Sequence, residues 1–104
     1  MKQLVVIQNN QIVVSSKDIA EHFGKDHKNV LQNIRDILVA ENSATKFYQE
    51  TTYQNRGKDY KEYLMNRDGF SLLAMGFTGK KALQWKLKYI EAFNEMEETL
   101  KQGY

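Results

Sequence analysis

Two short runs in this chain carry side chains suited to reading a nucleic acid. Lys28, Asn29, Gln32 and Arg35 share one polar face if residues 27–38 are helical. Amide and basic side chains are the types that pair bidentately with adenine and guanine edges in a major groove. Lys25 and His27 stand at the start of that segment, where free backbone N–H groups and the positive end of the helix dipole suit phosphate. Arg56 and Lys58 flank Gly57, and two cations astride a turn fit a phosphate backbone or the adjacent minor groove. A plain solvated surface has the same composition, so the surrounding elements have to discriminate.

Other chemistries find less support. His22 and His27 are separated by a glycine turn, and spacing brings no third metal ligand near them. Gly76-Phe77-Thr78-Gly79-Lys80-Lys81 has the residue types of a phosphate-binding loop but neither its spacing nor a preceding buried strand, and reads as a turn followed by a helix cap. The absence of Cys excludes thiolate zinc sites, cysteine nucleophiles and a disulfide scaffold. The expectation is a binding protein with no enzymatic activity, no cofactor and no metal.

The elements that must position these residues follow from periodicity and caps. Leu4 to Ile7 and Ile12 to Val14 are β-branched runs separated by Gln8-Asn9-Asn10-Gln11, which predicts a hairpin over 1–14. Ser15 or Ser16 caps a helix whose stripe is Ile19, Ala20 and Phe23, and Gly24 stops it. Asp26 is placed to cap a second helix with Val30, Leu31, Ile34, Ile37 and Leu38 at helical spacing, giving a helix-turn-helix over 16–38. Ala20 is small enough for a close crossing, and the apolar spacing after Gly24 suits a turn about one residue longer than the tightest motif.

A polar stretch follows from Glu41 to Lys46. Aromatic and Thr-rich strands on either side of Gln54-Asn55-Arg56-Gly57-Lys58 then predict a second, wing-like hairpin over 47–65. Asn66 or Asp68 starts a short helix over 67–76, and Thr78 caps a long one over 79–101. The fold class expected is α+β: one winged helix-turn-helix-like domain over 1–104, with two short hairpins and a long C-terminal helix.

Composition agrees. Hydrophobic residues make up 41% of the 104, aromatics 12% and charged residues 27%, enough bulk for a single core. No apolar run approaches a membrane span or a signal-peptide core, so the expected location is the cytoplasm. The formal charge is only +2, yet residues 56–88 are strongly basic while Glu91, Glu95, Glu97 and Glu98 make the tail acidic. A basic face for an anionic partner is one reading of that segregation, and solvated surface charge is the other.

The last helix has an apolar arc over roughly half its circumference, wide for one small domain. Trp85, Tyr89, Ala92 and Met96 keep three-four spacing along it and are expected either to extend the core or to form a homodimer seam. Lys86 falls inside the arc and must snorkel, pair with a carboxylate, or meet a phosphate.

These runs also resemble a known family. Val14-Ser15-Ser16-Lys17-Asp18-Ile19-Ala20, Phe23-Gly24-Lys25, His27-Lys28-Asn29-Val30 and Ile34-Arg35 look like the N-terminal half of the phage regulatory protein Rha family. Tyr63 to Phe70, Met75 to Ala82, Trp85-Lys86, Tyr89-Ile90 and Ala92-Phe93-Asn94 resemble its second half. The resemblance, from about Val13 to Met96, implies a regulator encoded by temperate phages and prophages. It implies a domain that binds double-stranded DNA, related in style to KilA-N and Bro-N domains, and in many members a further C-terminal region. The alternative is an antirepressor that binds a phage or host repressor through the last helix. That role needs an exposed apolar stripe and tolerates loss of the basic face.

Overall fold

A computed structural model describes residues 4–102; positions 1–3 of the expected first hairpin lie outside it. Strands β1 (Val6–Gln8) and β2 (Gln11–Ser15) pair antiparallel with Ile7 opposite Ile12. They join through Asn9 and Asn10, both at positive φ, a geometry whose twist matches that of the strands. Helix α1 (Ser16–Phe23) starts where the Ser15 hydroxyl accepts the Asp18 N–H at 3.1 Å. It ends at Gly24, whose φ of +66° lets Lys25 N–H return to the Ala20 carbonyl at 2.9 Å.

Helix α2 (His27–Ala40) follows a three-residue turn. Asp26 stands at its N-cap, but its side chain makes no cap bond. Its backbone carbonyl instead accepts from Asn29 and Val30. The polar stretch after α2 forms a 3₁₀ helix, Asn42–Phe47, that buries Ala44.

Strands β3 (Tyr48–Asn55) and β4 (Lys58–Met65) form the second hairpin, turning on Arg56 and Gly57, both at positive φ. The two hairpins make one four-stranded antiparallel sheet in the order β1-β2-β4-β3. The join is short, Val14 opposite Met65 and Ser15 opposite Leu64.

Helix α3 (Arg67–Ala74) begins where the Asn66 side chain accepts the Gly69 N–H at 3.0 Å. Helix α4 (Lys80–Lys101) closes the fold. Gly79, not Thr78, occupies its N-cap, at φ +102°, so no hydroxyl caps it. No helix among the described residues is long and apolar enough to cross a membrane.

The core lies where α1, α2, α3 and α4 meet the sheet. Ile19, Val30, Ile34, Met65, Tyr89 and Phe93 are almost fully buried. The Phe23 ring packs against Phe77 and Phe70, at 4.9 and 6.3 Å between centroids, and Phe70 reaches Tyr89 at 5.0 Å. Burying each such side chain contributes about 1.5–3 kcal/mol, and this ring cluster holds α1, α3 and α4 together.

Candidate nucleic-acid interface

Helix α2 is anchored from behind. Val30 and Ile34 are buried against the core, and the first residue, His27, turns inward. Its Nε2 lies 2.8 Å from the Ser16 hydroxyl, and that hydroxyl also accepts the Tyr63 N–H at 2.9 Å. Ser16 is fully buried, so one oxygen ties α1, α2 and β4 together. Burial, and then the charge of Lys17, hold the His27 ring below its ordinary pKa. With one Ser16 lone pair taken by Tyr63 N–H, the hydroxyl proton is free to point at a neutral Nε2. His27 therefore positions the helix; the cation beside it is Lys17, whose Nζ sits 4.6 Å over the Tyr53 ring.

The outward residues divide into two rows. Lys28, Gln32 and Arg35 follow i, i+4, i+7 spacing, and Asn29 opens the neighbouring row with Asn33 and Asp36. Lys28, Asn29 and Gln32 are exposed. Gln32 Nε2 donates to Asp36 Oδ1 at 3.0 Å, which orients the amide and leaves its carbonyl oxygen open. Arg35 is half-buried, and its charge acts on the Tyr63 hydroxyl of β4, which itself donates to Glu50 at 3.4 Å. Sequence spacing placed Arg35 with the outward residues, but β4 lies near enough to draw it back.

Lys25 is exposed, its Nζ 5.5 Å over the Phe77 ring, and a Cβ on Gly24 would meet the Lys81 Nζ at 4.0 Å. Two cations thus border the turn between α1 and α2. Arg56 and Lys58 are exposed at the β3–β4 tip. Below that tip Tyr53 and Tyr60 stack at 5.6 Å, and Tyr53 lies 6.2 Å from the His27 ring, so the hairpin leans on the start of α2. Sequence reasoning missed Lys17, Tyr53, Tyr60 and Lys81. The signal for the tyrosines was present, since Tyr53 and Tyr60 are directly opposed across the predicted hairpin.

Of the α4 row expected either to extend the core or to form a dimer seam, Tyr89 lies in the core. Tyr89 is fully buried, with its hydroxyl 2.6 Å from His22 Nδ1, and burial raises its pKa well above the ordinary tyrosine value. Trp85 stacks on His22 at 4.1 Å, while Ala92 and Met96 line a cleft against Leu4, Val6 and Ile7. Tyr89 and Trp85 thus meet His22 of α1, while Ala92 and Met96 face the first hairpin across the cleft. Lys86 also finds an answer not foreseen: its Nζ donates to the Phe77 carbonyl at 2.6 Å, a neutral acceptor in place of a carboxylate. His22 and His27 serve different partners, Tyr89 and Ser16.

Comparison with known proteins gives these surfaces a context. A Haemophilus influenzae protein is 38% identical over 97% of this chain and 61% of its own length. YoqD, named as a candidate antirepressor derived from the SPbeta prophage of Bacillus subtilis (strain 168), is 33% identical over 93% of the chain and 41% of its own length. A 22.8 kDa protein of Salmonella phage P22 is 36% identical over 96% of the chain and 52% of its own length. The chain thus spans about half the length of the curated relatives it matches. No solved structure matches it significantly. The sequence profile of the phage regulatory protein Rha family matches residues 14–98, most of the chain, and the chain belongs to that family.

Proposed function

We propose that this chain is the DNA-binding part of a phage regulator, working by binding and without catalysis in the cytoplasm of the bacterial host. In this reading α1, the turn and α2 act as a helix-turn-helix. The outer rows of α2 enter the major groove, and the β3–β4 tip follows the backbone beside it as a wing. The observation that carries the reading is the contrast between the two sides of α2: Val30, Ile34 and His27 fix it from behind, while Lys28, Asn29 and Gln32 stand exposed with base-pairing chemistry. Lys17, Lys25, Lys81, Arg56 and Lys58 supply phosphate contacts around it.

Selection from random-sequence duplexes tests this directly. An enriched motif is expected, and Asn29→Ala or Gln32→Ala should each cost about 1–3 kcal/mol on that motif and relax preference at one position. If Lys28→Ala, Asn29→Ala and Gln32→Ala together leave affinity and preference unchanged at fixed salt, α2 does not read DNA.

A second reading, an antirepressor that binds another protein, draws on the name carried by YoqD. It uses a different surface, the outer face of α4, so loss of the α2 side chains would leave it intact.

A further inference from the structure

Helix α4 has two apolar faces, and the fold covers only one of them. Ala82, Tyr89 and Phe93 are buried. Leu83, Leu87 and Ile90 recur at i, i+4 and i+7, roughly a third of the circumference away, and remain 58, 54 and 43% exposed. Asn94 continues this row, and Arg67 binds Asn94 and Glu97, bringing α3 along the same flank. Leu72 and Met75, near the end of α3, are also exposed.

The charges of α4 run against its own dipole. Lys80 and Lys81 occupy the first turn, where anions are favoured, and Glu95, Glu97 and Glu98 crowd the end, where cations are favoured. No acidic residue of the helix precedes Glu91, and no basic one lies between Lys88 and Lys101. In a lone helix this order is unfavourable. A second copy of the same helix, laid antiparallel, meets it with opposite charges and an opposed dipole.

We infer that a second copy of this chain docks on the Leu83-Leu87-Ile90 row about a two-fold axis, α4 antiparallel to α4. The axis passes between Leu87 and Ile90, so each Leu87 packs beside the partner's Ile90. Lys80 and Glu98 are five turns apart at 3.6 residues per turn and so edge the same side of the row from opposite ends. Same-side edges face each other in an antiparallel pair, which brings Lys80 to the partner's Glu98 twice per dimer. A parallel pair would instead leave each Lys80 at the same end as the partner's Lys80, with no Glu98 in reach. The helix, about 33 Å long, is long enough to seat the whole row and both charged ends.

The inference stands apart from DNA reading by α2, because mass and DNA affinity are separate measurements. Sedimentation equilibrium of the full chain in the micromolar range should show a mass rising with concentration toward two chains. Leu87→Glu, on an exposed position, should give one chain with an unchanged circular dichroism spectrum. Lys80→Glu or Glu98→Lys alone should weaken the dimer on the order of tenfold, and the two together should restore it. A mass of one chain throughout, including a chain that pairs only with an added repressor, overturns the inference. So does a dimer indifferent to Leu87→Glu, or charge swaps that fail to rescue one another.

Discussion

The Ser16 hydroxyl lies 2.8 Å from His27 Nε2 while accepting the backbone N–H of Tyr63, so a single buried oxygen joins the starts of α1 and α2 to the sheet. Ser16→Ala would leave the Tyr63 N–H buried without a partner. Urea unfolding should report a loss of about 1–3 kcal/mol, the usual penalty for an orphaned buried donor. A loss within a few tenths would mean that water or a shifted strand replaces the hydroxyl.

The same contact sets a pH dependence. Burial and Lys17 lower the His27 pKa below its ordinary 6.5, so between that value and the folded one the unfolded chain binds more protons. The stabilisation is complete above pH 6.5 and is lost as the pH falls toward and through the folded value. Glu62 acts with opposite sign, its pKa raised above 4.5 by burial and by Asp18, although Lys17 opposes the shift. The His27 contribution is therefore isolated by comparing the chain with His27→Gln: unfolding midpoints should decline more steeply below pH 6.5 in the unaltered chain. Parallel curves would show that His27 is not held neutral.

Much of this architecture is legible in the sequence because it is local. Ile19, Ala20 and Phe23, or Val30 and Ile34, announce their helices by spacing, and Ser15, Gly24, Asn66 and Asn9-Asn10 mark boundaries by backbone chemistry. Contacts between distant segments are not legible in that way. Nothing local reveals that Val14 pairs with Met65, that Arg35 acts on Tyr63, or that Lys86 ends on the Phe77 carbonyl. The α4 arc shows the limit most clearly. Periodicity gathers Tyr89 and Leu87 into one apolar surface, but only the placement of α1 and α3 decides that Tyr89 is covered and Leu87 is not.

Gly69 should tolerate no side chain. A Cβ there would stand 2.9 Å from both the Met65 Cβ and the Phe47 carbonyl oxygen, neither the end of a flexible chain. The Gly69 carbonyl meanwhile accepts the Tyr48 hydroxyl at 2.7 Å, and burial pushes that hydroxyl up to about 12. Gly69→Ala is expected to destabilise by about 1–3 kcal/mol through overpacking, despite the better helix propensity of alanine. A neutral or stabilising result in thermal unfolding would mean that α3 can move off β4 freely.

Lys86→Met tests whether the buried stem or the bond matters. Methionine keeps the apolar length but leaves the Phe77 carbonyl without its 2.6 Å donor at the turn between α3 and α4. A loss of about 1–3 kcal/mol is expected, because removing a charged donor strands a partly buried acceptor. No loss would assign Lys86 to packing alone.

In the DNA-binding reading, the β3–β4 tip should contribute position and not sequence. Arg56 and Lys58 are exposed on either side of the tip, while Tyr53, stacked on Tyr60 and lying beneath Lys17, holds the hairpin just below its tip against the start of α2. Two exposed cations on a held turn suit the phosphate backbone, which presents the same charge beside every sequence. Replacing both with Gln should weaken binding to all duplexes by a similar factor and flatten the slope of log affinity against log salt by ~1 to 2 units, since each neutralised phosphate contributes ~0.9. Tyr53→Ala keeps both charges, so it should lower affinity by loosening the wing while leaving that slope nearly unchanged. A loss confined to one sequence in the double Gln variant would make the tip a base reader, and an unchanged slope would remove it from the interface altogether.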